Sequence, residues 1–212
     1  FNIYTGSGRN GKSKLVELMS LILGEYKGTV PITLITQKRN SIGSTSAEIV
    51  QLMGTRYAVM QEPSKGDRIN EGIMKEITGG DPIQGRALFK DTVTFIPQFK
   101  LVVCTNTMFE IKSNDDGTWR RIRVCDFKSK FTEKPEKGDP DEPYQYKVDK
   151  KIEVKFEKWK YVFMALLVER AFETQGNVED CSIVMGKSQD YREGQDYLSE
   201  FRKDKIEVKE GK

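Results

Sequence analysis

The run Gly6-Ser7-Gly8-Arg9-Asn10-Gly11-Lys12-Ser13 constrains this chain more than any other feature. It matches the phosphate-binding loop, in which backbone N–H groups wrap the phosphates of a nucleotide. Glycines at this spacing let the main chain approach closely and turn into a helix N-terminus. The context agrees: apolar Phe1 to Tyr4 lies just before the run, and Leu15, Leu18, Met19 and Ile22 follow at helical spacing. In such a loop Lys12 supplies a point charge for the β- and γ-phosphates, and Ser13 a hydroxyl for Mg²⁺. The competing reading is an ordinary Gly/Ser-rich turn, and the strand before and helix after argue against it.

The chain has 212 residues, enough for one large domain or a domain with an appended subdomain that buries roughly 70% of its unfolded surface. A charged fraction of 32% and a mean hydropathy of −0.58 describe a soluble protein. The longest apolar run, Val162 to Val168, is too short to span a bilayer, so no membrane partner is expected. The net charge of +3, from 35 basic and 32 acidic residues, hints only weakly at nucleic acid. Cys104, Cys125 and Cys181 are scattered and odd in number, and His is absent. That composition removes ordinary zinc sites, argues against a disulfide framework and fits an intracellular, reducing compartment. It also excludes Ser-His-Asp and Cys-His nucleophilic mechanisms. Phe1 opens in a strand with neither Met nor a signal peptide before it, so a segment of a longer chain is expected.

Periodicity predicts a strand over Phe1 to Thr5, a helix over Lys12 to Leu23 ended by Gly24, and a strand over Pro31 to Thr36. Gln37 to Gly43 is polar and basic, and reads as loop. Thr45 and Glu48 make a capping box for a helix from Ser46 to Met53. Tyr57 to Met60 reads as a buried strand, and Ile69, Ile73 and Ile77 as a helix from Arg68 to Thr78 stopped by Gly79-Gly80. Gln84 to Phe89 and Thr92 to Ile96 flank Lys90-Asp91 as a hairpin, and Lys100 to Cys104 and Ile122 to Phe127 are further strands. Alternating strands and helices imply an α/β fold with a largely parallel sheet. Pro135, Pro140 and Pro143 among charges mark residues 132–147 as a flexible loop or linker. It separates a core over 1–131 from a helical subdomain and tail over 148–212. In that subdomain Trp159, Val162, Phe163, Leu166, Leu167 and Arg170 sit at helical spacing as a packing face, and Asp149 is a candidate cap. The Lys- and Glu-rich last dozen residues read as solvated.

Hydrolysis needs a carboxylate near Mg²⁺ and the attacking water, at the end of a strand beside the one feeding the loop. Glu62, after Tyr57 to Met60, fits that place. The residue before it is Gln61 where an acidic partner is usual, so Mg²⁺ depends more on Ser13, water and the phosphates. Asn106 ends the next apolar strand, and its amide both donates and accepts, as a γ-phosphate or water sensor requires.

Gly6 to Ser13, Glu62, Lys75-Glu76-Ile77-Thr78-Gly79-Gly80-Asp81, Phe99-Lys100-Leu101 running into Asn106, and Trp119-Arg120-Arg121-Ile122 with Phe127 together resemble the superfamily 3 helicase domain. Within it, the closest likeness is to the poxvirus-type primase-helicases of large DNA viruses, with phage and plasmid primase-helicases as relatives. The motifs cover Gly6 to about Phe131, and Tyr191-Arg192 with Phe201 is a looser match. The resemblance implies an AAA+ P-loop NTPase fold, a homo-hexameric ring with ATP and Mg²⁺ between subunits, and translocation on single-stranded DNA during viral or phage genome replication. A primase domain preceding Phe1 is a further implied partner, and a replication site in host cytoplasm or nucleus the implied location. By the resemblance, Arg120 or Arg121 is the arginine finger reaching a neighbour's γ-phosphate. The hairpin is the element that such rings point into the channel, with Arg86, Phe89 and Lys90 stacking bases and binding phosphates. Lys75 faces either channel or nucleotide.

The sequence thus describes an ATP-hydrolysing helicase motor with Lys12, Glu62, Asn106, Arg120 and Arg121 as catalytic candidates and Ser13 and Glu62 near the metal. Two alternatives stand beside it: a nucleotide-dependent binding or loading ring with weak hydrolysis, and a P-loop nucleotide kinase.

Overall fold

In the computed structural model, residues 1–37, 45–60, 62–63, 66–136 and 138–196 are described. The polar stretch after Gln37, Gln61, Phe201 and the Lys- and Glu-rich tail lie outside them. In chain order the strands are β1 (Asn2–Thr5), β2 (Lys27–Val30), β3 (Tyr57–Met60), β4 (Ile83–Arg86), β5 (Thr92–Phe95), β6 (Lys100–Cys104), β7 (Arg123–Asp126), β8 (Lys130–Thr132) and β9 (Gln145–Lys147). The helices are α1 (Lys12–Leu23), α2 (Thr33–Thr36), α3 (Ala47–Val50), α4 (Glu71–Thr78), α5 (Asp116–Trp119), α6 (Ile152–Glu173) and α7 (Ser182–Gln195).

Five of these strands form a parallel sheet in the order β2-β3-β6-β1-β7. Side chains alternate between its faces, as the period of a strand requires. Ile3, Ala58, Met60, Leu101, Val103 and Val124 share one face and are almost wholly buried. They pack into one core with Ile35 of α2, Ile49 of α3 and Ile73, Met74 and Ile77 of α4. No residue of α1 belongs to that core cluster. The chain is therefore α/β with a central parallel sheet, and the carboxyl ends of β3, β6 and β1 lie side by side. In open α/β sheets such an edge is where ligands bind.

Several expectations need correction. Pro31 to Thr36 is not a strand: β2 ends at Val30, and Thr33–Thr36 makes a helical turn. Pro31 follows at once and has no N–H for a ladder. Consecutive Leu34 and Ile35 are then both buried, and Ile35 O accepts from Asn70 N at 2.6 Å. The Thr45 capping box does not form. Ser46 precedes a helix of 4 residues without capping it, and its hydroxyl accepts from Arg86 N at 3.0 Å. Helix α4 starts at Glu71 rather than Arg68, because Asn70 caps it by accepting from Ile73 N. Asp149 does not occupy the cap position of α6, which is Lys151, but its carboxylate accepts from Lys151 N at 2.9 Å.

The stretch read as a linker is bracketed by strands, since β8 pairs in parallel with β9 from Lys130↔Gln145 to Thr132↔Lys147. Three-residue strands are too short to show periodicity. In α6 the side turned inward is Ile152, Phe156, Lys160 and Phe163. The expected packing positions Trp159, Val162, Leu166 and Leu167 are exposed. Among the described residues no helix is long and apolar enough to cross a membrane.

Candidate nucleotide-binding site

The loop leaves β1 at Gly6, whose φ of 140° lies outside the range most side chains adopt. A Cβ there would stand 2.3 Å from Asn10 Nδ2 and 2.7 Å from Phe127 O, so only glycine fits. Gly8, Arg9 and Gly11 also have positive φ, which turns the backbone sharply into α1. Asn10 is buried and holds the loop's shape: its Nδ2 donates to Phe127 O at 3.2 Å. Gly11 precedes α1 without a side-chain cap, and the first turn carries no acidic residue. Backbone donors and the positive end of the helix dipole are thus left for an anionic ligand.

Lys12 is 6% exposed and lies at the centre of a hydrogen-bonded chain. Its Nζ donates to Gly6 O at 3.1 Å and to Asn106 Oδ1 at 3.0 Å. Asn106 N in turn donates to Glu62 Oε1 at 3.1 Å. Burial lowers the Lys12 pKa from its ordinary value, and Cys104, Glu62 and Asp126 oppose that shift. The structure therefore brings together Lys12, Glu62 and Asn106, which lie 44 or more residues apart from one another in sequence. With Gly8 to Lys14, Cys104 and Thr105 they line a cleft of about 290 Å³. Ser13 is exposed beside it, and its hydroxyl bonds to none of the described residues. Among the described residues Glu62 commits only one oxygen, to Asn106. No group of three or more acidic or Cys residues that could hold a metal exists among the described residues. A hydroxyl and one carboxylate fit a Mg²⁺ that arrives with phosphate ligands of its own, as this ion commonly does.

Arg120 and Arg121 are not part of this cleft. They precede β7, whereas the loop follows β1, and the two strands are parallel with Asn2 opposite Arg123 and Thr5 opposite Asp126. The arginines therefore lie at the amino edge of the sheet, a strand length of about 13 Å from the loop's edge. Arg120 is exposed, and its side chain bonds to none of the described residues. Arg121 donates from Nη1 to Gly117 O, while its buried Nε has no partner among the described residues. Asp115 caps the short helix α5 before them, accepting from Thr118 N at 3.1 Å and from Lys75 Nζ at 2.9 Å. Lys75 thus pairs with Asp115 and does not line the cleft. Hydrogen bonds from Ser113, Lys75 and Thr118 hold the Asp115 carboxyl well below the usual carboxylate range.

The hairpin forms, with Ile83 opposite Phe95 and Arg86 opposite Thr92. Its turn is longer than the expected Lys90-Asp91 pair: residues 87–91 connect the strands, and Phe89 takes a φ of 56°. Gly85 lets the hairpin sit against α3, since a Cβ there would come within 2.9 Å of Val50. Phe89 is 91% exposed at the tip beside exposed Leu88 and Lys90. Arg86 donates from Nε to Lys90 O at 3.2 Å, so it braces the turn.

Residues 4–121, which carry the loop, Glu62, the hairpin, Asn106 and both arginines, match the model of a family of unknown function, DUF5906. The chain belongs to that family. Its relatives are proteins of large DNA viruses that are named as helicases and primases. This DUF5906 chain is 39% identical over 208 residues to "Putative helicase L207/L206" of Acanthamoeba polyphaga mimivirus, which covers 95% of the chain and 22% of that protein. It is 35% identical over 159 residues to "Putative helicase 022R" of Frog virus 3, 73% of the chain and 16% of that protein. It is 27% identical over 214 residues to "Putative primase C962R" of African swine fever virus, 96% of the chain and 22% of that protein. The chain thus spans between 16% and 22% of the length of these relatives. The structure of the NrS-1 C-terminal region is similar over 59% of the DUF5906 chain and 28% of its own, at 18% identity and a TM-score of 0.45.

Sequence reasoning gave Cys104 and Phe131 no part in the site, and named Tyr191 and Arg192 only within a looser match. Cys104 lines the cleft at the end of β6, where burial raises its pKa. Phe131 reaches the loop, its N donating to Arg9 O at 2.8 Å. Tyr191 and Arg192 of α7 secure the segment carrying the arginines: Tyr191 OH donates to Phe109 O at 2.7 Å, and Arg192 to Asn114 O at 2.8 Å. Strand ends could have pointed to Cys104. The others carry no local signal, because their partners lie far away in sequence.

Proposed function

We propose that this chain is the ATP-hydrolysing motor of a DNA helicase that acts in viral genome replication. The observation that carries the reading is the chain of hydrogen bonds from Lys12 through Asn106 to Glu62, at the carboxyl edge where the phosphate loop begins. The loop and the start of α1 hold the phosphates, and Lys12 places its charge on the β- and γ-phosphates. Releasing Gly6 O and Asn106 frees Lys12 for them, and leaves the Asn106 amide to contact the γ-phosphate or the attacking water. Glu62 orients that water and takes its proton as it attacks the γ-phosphorus and ADP departs. Ser13 and Glu62 hold Mg²⁺, which neutralises phosphate charge when bound.

A neighbouring copy completes the site. Arg120 and Arg121 lie at the opposite edge of the sheet from their own chain's loop, which supports their action on the nucleotide of an adjacent subunit in a homo-hexameric ring. Arg120 is free to project, while Arg121 must first leave Gly117 O. The exposed Phe89 and Lys90 of the hairpin supply the base stacking and phosphate contact that a sequence-independent translocating motor needs on single-stranded DNA. The relatives' names as helicases and primases support replication as the setting. Lys12→Ala tests the reading. It should abolish phosphate release from ATP, and retained turnover would contradict the phosphate-loop assignment.

A further inference from the structure

Lys12, Glu62 and Asn106 gather on one side of the phosphate loop, so the terminal phosphate of a bound nucleotide lies there. Its nucleoside end must then leave past the opposite rim, over Arg9, Gly11 and the start of α1. That rim is not bare. Strand β8 is fastened to it by the hydrogen bond from Phe131 N to Arg9 O. The Phe131 ring lies against the loop, where a Cβ on Gly11 would be 3.3 Å from Cε2. Tyr146, on β9 directly opposite Phe131, adds a second ring at a centroid distance of 5.9 Å and an interplanar angle of 35°. Both rings are partly open to solvent, Phe131 at 37% and Tyr146 at 51%. The start of α6 closes the same side, since Glu153 is ion-paired to Lys14, the residue after Ser13.

We propose that Phe131 and Tyr146 form an aromatic platform on which the base of the bound nucleotide stacks. This rests on the nucleotide-binding reading above and assigns the base end of that site. The parallel β8-β9 pair gives the platform its rigidity. Gln145 and Lys130 beside it are engaged within the pair rather than turned to a ligand: Gln145 donates to Asp139 and accepts from Glu136 N, and Lys130 pairs with Glu142. Recognition at this end is therefore carried by ring faces, and the parallel pair built into the apparent linker has a use. Phe131 also touches the loop itself, whereas Tyr146 reaches it only through Phe131, which makes Tyr146 the cleaner probe.

Isothermal titration of the chain with ATP and, separately, with inorganic tripolyphosphate tests this. Stacking of a base on an aromatic side chain is lost on truncation at a cost that corresponds to roughly fivefold to a hundredfold in affinity. Tyr146→Ala should weaken ATP binding by about tenfold and leave tripolyphosphate binding within about twofold, while Tyr146→Phe should bind both ligands as the unaltered chain does. Phe131→Leu should likewise weaken ATP more than tripolyphosphate. Unchanged ATP affinity in Tyr146→Ala would overturn the platform, as would an equal loss for both ligands, which would mean that the rings act only by bracing the loop. Retained tripolyphosphate binding also shows that a variant has folded. If the unaltered chain binds neither ligand, the phosphate-loop reading itself fails, and the platform with it.

Discussion

The two edges of the parallel sheet are built to opposite plans. At the carboxyl edge the polar groups are turned inward on one another: Lys12 is buried, bonded to Gly6 O and Asn106, and Asn106 is bonded to Glu62. At the amino edge Arg121 is held by Gly117 O, but Arg120 is exposed. The exposed Arg120 side chain bonds to none of the described residues, and Phe89 stands 91% exposed on a hairpin whose second strand ends five residues before β6 begins at Lys100. A network anchored on a buried lysine keeps its geometry without help. An exposed arginine or aromatic ring at a loop tip is useful only against something else. The difference teaches that the loop and the arginines of one copy cannot meet within it, so the proposed shared site would need the arginines of a second copy.

That contrast can be broken most severely at the arginines. The double variant Arg120→Ala/Arg121→Ala should lower hydrolysis by about a thousandfold or more, the scale of a lost arginine finger, while ATP affinity measured by titration stays close to that of the unaltered chain. A comparable loss of affinity would mean that the amino edge supports its own chain's loop. At the hairpin, Lys90→Ala should weaken single-stranded DNA binding by about tenfold and reduce its salt dependence by about one unit of slope. An unchanged salt slope would remove the tip from the DNA path.

The smallest effect concerns what holds the arginine-bearing segment in place. Asp115 has a depressed pKa because Ser113, Lys75 and Thr118 donate to its carboxylate. A depressed carboxyl contributes stability that is present above the unfolded value, about pH 4, and is lost as pH falls through the lower folded value. Asp115→Asn should therefore lower Tm by a few degrees at pH 7, with the gap narrowing below about pH 4. A gap independent of pH would deny the charge its part.

How far the sequence foretold these edges depended on the range of the signal. Helix α1 and strands β3 and β6 have the bounds read from apolar pattern, Lys12–Leu23, Tyr57–Met60 and Lys100–Cys104, because a continuous buried run or a capped amphipathic turn is a local property. At 33–36 local propensity pointed the wrong way: β-branched Thr33, Ile35 and Thr36 favour a strand, but Pro31 and the contact with Asn70 make a helical turn. The parallel pair of β8 and β9 was hidden because its partners are 15 residues apart in a Pro- and Lys-rich stretch. The loop residues, Glu62 and Asn106 were legible as strand-end residues. Their mutual bonds were not, since those depend on the order of the strands in the sheet. Nor could spacing reveal that Arg120 and Arg121 lie at the far edge from Lys12, which follows only from the parallel register of β1 and β7.

The central claim is that the site is shared between copies, and a mixing experiment addresses it most directly. Lys12→Ala and Arg120→Ala/Arg121→Ala, each inactive alone, are combined at equal concentration where the chain assembles, and phosphate release from ATP is followed. Interfaces that join the intact loop of the arginine variant to the intact arginines of the Lys12 variant should restore hydrolysis. Activity no higher than that of either variant alone would contradict the account.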